Sequence, residues 1–171
     1  MADNGHFLLL MKGIALWNQW RQEHAEIQPD LRGLDLTKSY LRGVDLTAAD
    51  IRWTDLTKAD LTEANLTGAI LTESNFIMTN LTRANLTQAD LTGASFYGAN
   101  LRGADLRRAN LTEGDLYEAD LRGANLKGAN LYLADFRNAD LRGVNIFNAN
   151  FYGTKLFGAI LRDADLLRKD D

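Results

Sequence analysis

From Pro29 to Arg168 the chain repeats every five residues without an insertion or deletion, and that period restricts its fold more than any other feature. With Leu31 as the first centre, steps of five give 28 centres ending at Leu166, and every one is Leu, Ile or Phe. The residue two before a centre is usually Ala, as at Ala49, Ala59, Ala84 and Ala104, and the residue just before is Asp or Asn in 23 of the 28 units. A helix places apolar residues about every 3.6 positions, and a strand alternates them. Period five suits neither in a straight line. It suits a chain that runs one short extended segment, turns a corner and starts again. Alternation within that segment sends the centre and the small residue before it inward. The Asp or Asn and the two residues after the centre then face outward.

A longer phase sits inside the short one. Phe76, Phe96 and Phe136 are centres separated by multiples of twenty residues. Tyr97 and Tyr117 are twenty apart, as are Tyr132 and Tyr152, and Arg102, Arg122, Arg142 and Arg162 fall in one such column. Four units per turn predicts a square coil with like residues stacked on like. The expected fold is an all-β solenoid of about seven 20-residue coils, roughly 34 Å long at the spacing of paired strands. Each repeat needs stacked neighbours to bury its apolar face.

The Ala-(Asp/Asn)-Leu-x-x run resembles the pentapeptide-repeat family over residues 29–168. The resemblance implies a right-handed quadrilateral β-helix. It does not imply one role, because the family includes topoisomerase-protecting DNA mimics and regulators of bacterial differentiation.

Residues 1–28 break the period and are expected to form an N-terminal α-helical cap. Phe7, Leu10, Met11, Ile14 and Trp17 fall on one side of a helix, with Asp3 or Asn4 available as N-cap. Such a cap covers the open edge of the first coil. Leu9, Leu16 and Trp20 lie on an adjoining face, which makes them candidates for contact with a second subunit. At the other end, residues 169–171 form a charged tail. Phe147 and Phe157 face outward by register near that end, a second candidate surface for a homodimer.

Composition narrows the functional classes. Within residues 29–168 there are 18 acids and 16 bases, too balanced for a polyanionic rod or a general nucleic-acid binder. The chain has no cysteine, and its apolar runs fall short of the roughly 20 residues that span a bilayer. The N-terminal apolar run is interrupted by Lys12 and Gly13 and lacks a basic leader, so a cytoplasmic protein is expected.

Candidate chemistry is sparse. His6 and His24 have no metal-ligand spacing to other candidates, and Ser39 and Ser74 occupy the small inward position. Stacking brings Asp115 near Asp135 and Asp120 near Asp140 at roughly 5 Å. That pattern belongs to the repeat on every side, and a corner-forming bond from Asp or Asn to nearby backbone accounts for it. No catalytic, cofactor or metal site is expected.

The outer columns carry the individuality. Arg102, Arg122, Arg142 and Arg162, beside Arg107, Arg108 and Lys127, form a candidate surface for an anionic partner. Ile77, Tyr97 and Tyr117, continuing through Arg137 to Phe157, form an aromatic one. The expected role is a non-enzymatic scaffold or regulator that binds an unidentified protein. Two alternatives have sequence support. One is DNA mimicry against a type II topoisomerase, by resemblance, although the rod is near neutral. The other is ice or surface binding through the columns Thr47, Thr67, Thr87 and Thr72, Thr92, Thr112.

Overall fold

The computed structural model describes residues 3–162. Two helices precede the rod: α1, Asn4–Met11, and α2, Ile14–Glu23. Asp3 caps α1, its carboxylate accepting from the backbone N–H groups of Gly5 and His6. Where the apolar pattern suggests one helical stretch, there are two. Gly13 has φ +124°, a backbone conformation reserved for glycine, and it turns the chain between them.

From Asp30 onward the residue before each centre forms a single parallel bridge with the residue twenty places on, from Asp30–Asp50 through Asp140–Ile160. Each coil therefore contains four units, the twenty-residue phase of the Phe, Tyr and Arg columns. Among the described residues each pairing is one isolated bridge, so the sides are too short to count as strands. Every bridge is flanked by axial hydrogen bonds: Leu101 N–H donates to Asp120 C=O at 2.7 Å, and Asp120 N–H donates to Ala99 C=O at 2.9 Å. These bonds run between coils and saturate the backbone inside the rod.

The corner follows from the same register. The N–H two before the next centre donates back to the present centre, as Ala104 to Leu101 at 3.0 Å. The third residue of that turn has φ near +60°, the position where this turn class favours glycine. The Asp or Asn before the centre completes the corner, its Oδ1 accepting from the backbone N–H two residues on, as Asp55 does from Thr57 at 2.9 Å. That role explains its frequency without invoking a site.

Inside, the centres from Leu31 to Leu141 and nearly all of the small residues before them are fully buried. Phe76 and Phe96 stack at 4.7 Å between ring centroids, 4° from parallel. Where Ser74, Thr54 and Thr79 replace Ala, their hydroxyls donate to the carbonyls of Ile51, Leu31 and Leu56. Packing loosens toward the last described coil, where Phe151, Leu156 and Ala159 are only half-buried.

The helices sit on two sides of the first coil. Trp17 is fully buried and its Nε1–H donates to Asp45 C=O at 2.8 Å. Asn18 accepts from Asp45 N–H and donates to Gly43 C=O. Arg21, 4% exposed, donates to the carbonyls of Ile27 and Thr47. His6 Nδ1 accepts from Asp30 N–H, and Asp3 N–H donates to Asp30 C=O.

Candidate interaction surface

Each side of the rod is a column whose chemistry depends on the residue after the centre. At most of the positions where that residue is Thr, its hydroxyl donates to the neighbouring Asp or Asn, as Thr92 to Asp90 and Thr112 to Asn110; Thr72, which follows Ile70, and Thr87 are exceptions. The same hydroxyls accept from the next coil, Asn110 Nδ2 to Thr92 and Asn130 Nδ2 to Thr112. Much of the Thr array is thus tied into the ladder. Its bonding groups are directed along the rod rather than to solvent.

Where the residue after the centre is Arg, the guanidinium folds back as a fork onto the Asp two residues before it. Arg32, Arg52, Arg107, Arg122, Arg137 and Arg142 do so at 2.5–2.7 Å. The fork holds the Asp30 carboxyl down at about 2. It lowers Asp50, Asp120, Asp135 and Asp140 as well. Of the stacked carboxylates, Asp120, Asp135 and Asp140 are therefore ion-pair partners: Asp120 meets Arg122, Asp135 meets Arg137 and Lys155, and Asp140 meets Arg142 and Arg122, while Asp115 accepts from the Tyr117 backbone N–H.

This divides the Arg column. Arg122 and Arg142 are held by their own Asp, and Arg162 is exposed. Arg102 has Asn100 where the others have Asp, so it makes no fork; its guanidinium has no hydrogen bond or ion pair among the described residues, and its charged neighbour is Asp120 of the next coil. Arg83 and Arg108, at the following corner positions, are also exposed and without partners among the described residues. Sequence reasoning passed over Arg83 because it breaks the column's phase. Two open grooves mark this part of the rod. One, about 380 Å³, is lined by Arg42, Glu63, Arg83, Arg102 and Arg122 among others. The other, about 480 Å³, lies on the next side against Arg107, Arg108 and Lys127.

The aromatic column forms a ladder. Tyr97 and Tyr117 stack at 5.7 Å, half-buried, and Arg137 lies 5.4 Å over the Tyr117 ring. Asn138 donates to the Tyr117 hydroxyl at 2.9 Å. Further along, Tyr152 is 73% exposed, above Tyr132 in a second stack, and Phe157 84%; in the first coil Tyr40, unstacked among the described residues, is 87% exposed. Tyr132 and Tyr152 share the twenty-residue spacing, the signal that could have singled them out as surface. Phe147 is half-buried beneath the Lys127 ammonium.

In the cap, Trp20 packs among His6, Trp17 and His24 with ring centroids 5.1–5.4 Å apart. Leu9 is half-buried against the core, while Leu16 is 51% exposed. Both histidines are thereby placed as cap residues, and no group of three His, Asp or Glu among the described residues could hold a metal. No helix among the described residues is long and apolar enough to cross a membrane.

The pentapeptide-repeat profile matches eight copies in overlapping segments from residue 30 to residue 163. Among solved structures, a pentapeptide repeat protein from the Arabidopsis thaliana thylakoid lumen is 38% identical, with a TM-score of 0.57 over 60% of this chain and 71% of that one. HetL, a pentapeptide repeat protein involved in heterocyst differentiation regulation in the cyanobacterium Nostoc, is 26% identical over 86% of this chain and 93% of its own, with a TM-score of 0.34. QnrB1, a plasmid-mediated fluoroquinolone resistance protein, is 20% identical over 75% and 68% respectively, at 0.47. No curated protein sequence matches the chain significantly. With the repeat register, the bridge spacing and the profile in agreement over most of its length, the chain belongs to the pentapeptide-repeat family.

Proposed function

We propose that this protein is a non-enzymatic scaffold, a right-handed quadrilateral rod of about seven coils that binds another protein through its sides. The observation that carries the reading is the aromatic surface of the C-terminal coils. Tyr152 and Phe157 expose most of their side chains on adjacent sides, with Tyr132 stacked beneath the first. Exposed aromatics at this density are a mark of protein interfaces. The Tyr97–Tyr117 ladder extends the same surface along the rod. The lack of cysteine suits a reducing cytoplasm.

The test is affinity capture from native extract with the full chain and two paired variants, Tyr152→Ser/Phe157→Ser and Tyr97→Ser/Tyr117→Ser. A defined protein retained by the wild type and lost with the first pair supports the reading. Identical capture by all three chains removes it.

A second reading, pairing with another copy of the chain, rests on the exposure of Leu16 on α2 and of Phe157. Mass measured in solution for the wild type, Leu16→Glu and Phe157→Glu decides it. A dimer converted to monomer by either substitution supports self-association, and a monomer throughout ends it.

A further inference from the structure

Arg42, in the same twenty-residue phase as Arg102, makes a corner ion pair that Arg102 does not. Arg42 follows a centre in the first coil. Its guanidinium meets the carboxylate of Glu63, twenty-one residues on at the corner of the next coil, at 3.0 Å. The same step from Arg102 leads to Gly123. There a Cβ would have nothing within 4 Å, so the place of the Glu63 side chain is open. Arg102 also lacks the fork that holds Arg122 and Arg142, because Asn100 stands where they have Asp120 and Asp140; Asp120 of the next coil attracts it without closing an ion pair. Arg83 leans into the same groove. Its stem lies over Gly103, whose Cβ would be 3.7 Å from Arg83 Cγ, and its guanidinium is likewise without a partner among the described residues.

We propose that Arg102 and Arg83 form a seat for a carboxylate side chain from an acidic segment of a partner protein, occupying beside Arg102 the position that Glu63 occupies beside Arg42. Guanidinium and carboxylate match as planar, charge-assisted hydrogen-bonding groups. The occupant is a carboxylate because the chain's own filled copy of this place holds one, Glu63 beside Arg42. The proposal deepens the protein-binding reading by giving one side of the rod its ligand chemistry.

The probe is a fluorescein-labelled hexaglutamate peptide, titrated with the full-length chain at low salt and followed by fluorescence anisotropy. Hexathymidylate carrying the same label is the nucleic-acid arm. Saturable peptide binding is expected, weakened about tenfold by Arg102→Gln. A similar loss is expected for Gly123→Glu, which supplies the missing carboxylate from within. Glu63, Glu113 and Glu118 hold the same corner position at φ 57–59°, so the backbone there accepts Glu. Arg142→Gln removes a guanidinium already forked onto Asp140 and is expected to leave the affinity within about twofold. The proposal is overturned by absence of saturable peptide binding, by equal losses in Arg102→Gln and Arg142→Gln, or by tighter binding of hexathymidylate than of the peptide. Arg102→Gln keeps the test decisive if Gly123→Glu does not fold. The titration can fail while capture through Tyr152 and Phe157 succeeds, so the two readings fall separately.

Discussion

The first coil and a coil in the middle of the rod turn the same backbone groups toward the N-terminal end and satisfy them differently. In mid-rod, Asp105 donates its N–H to Ala84 C=O and its own C=O accepts from Leu86 N–H, one backbone answering another. At the first coil there is no preceding backbone. Asp45 N–H goes to the Asn18 side chain, Asp45 C=O to the Trp17 indole, Thr47 C=O to the Arg21 guanidinium, and Asp30 N–H to the His6 ring. The cap is thus a set of side chains standing in for a missing coil. The rod's solution is general and repeats by register. The cap's solution depends on the length and donor geometry of particular residues, none of which can be exchanged by period.

The largest expected effect is at the centre of the rod. Phe96 is fully buried and stacked on Phe76, so Phe96→Ala is expected to cost about 3–5 kcal/mol, read as a fall in the denaturant midpoint. Because each coil contacts only its neighbours, the damage should divide the rod, and amide exchange should accelerate on both sides of the site. A loss confined to one end would break the picture of a continuous ladder.

Next is the cap. Trp17→Phe retains most of the packing but leaves the Asp45 carbonyl without its donor, at a cost of about 1–3 kcal/mol. Here the effect should be one-sided. Exchange should quicken in the amides of Asp45 and its neighbours in the first coil and stay unchanged around Leu101. Equal acceleration along the whole rod would mean that the cap and the ladder form one cooperative unit, and the contrast between them would disappear.

The same contrast explains what was legible in the sequence. The inward Leu and Ala, the twenty-residue coil and the corner role of Asp and Asn follow from a period that repeats 28 times, so each unit confirms the last. The cap occurs once. Its apolar face was readable, but the break at Gly13 and the indole bond to Asp45 depend on one torsion and one donor position, which no pattern encodes. The candidate surface was readable as columns and not as individual residues. Arg102 and Arg122 look alike in the twenty-residue phase. What separates them is Asn100 against Asp120 two residues earlier, a difference that matters only once the guanidinium is seen to fold back.

A smaller effect, confined to acid, divides the rod by its forks. Asp30, Asp50, Asp120, Asp135 and Asp140 have folded pKa values below their unfolded ones, led in each case by the Arg hydrogen bond. Their contribution to stability is complete above the unfolded value of about 3.9 and is lost as pH falls through the folded values, which for Asp30 reaches about 2. Thermal midpoints should therefore stay level from pH 7 to about 5 and decline below about 4. Replacing Arg122 by Gln should flatten part of that decline. A decline of unchanged steepness would remove the fork as its cause.

The smallest effect runs in the stabilising direction and tests how the ladder overrides local preference. Lys58 is exposed at a corner with φ 60°, where an L-residue costs about 1–2 kcal/mol relative to its ordinary conformation. Glycine removes that strain and returns about 0.4–1 kcal/mol of it through the greater freedom of the unfolded chain. Lys58→Gly is therefore expected to stabilise the rod by about 0.5–1 kcal/mol, visible as a small rise in the thermal midpoint. Among the described residues fifteen non-glycine corners share this torsion, from Lys38 to Asn148, and their neighbours' axial bonds hold them there. In the cap the corresponding turn falls to Gly13, with no ladder above or below it. A gain at Lys58 would show that the rod carries its corner strain against local preference because the register leaves no other conformation. No change would mean that the Lys58 side chain contributes as much as the torsion costs.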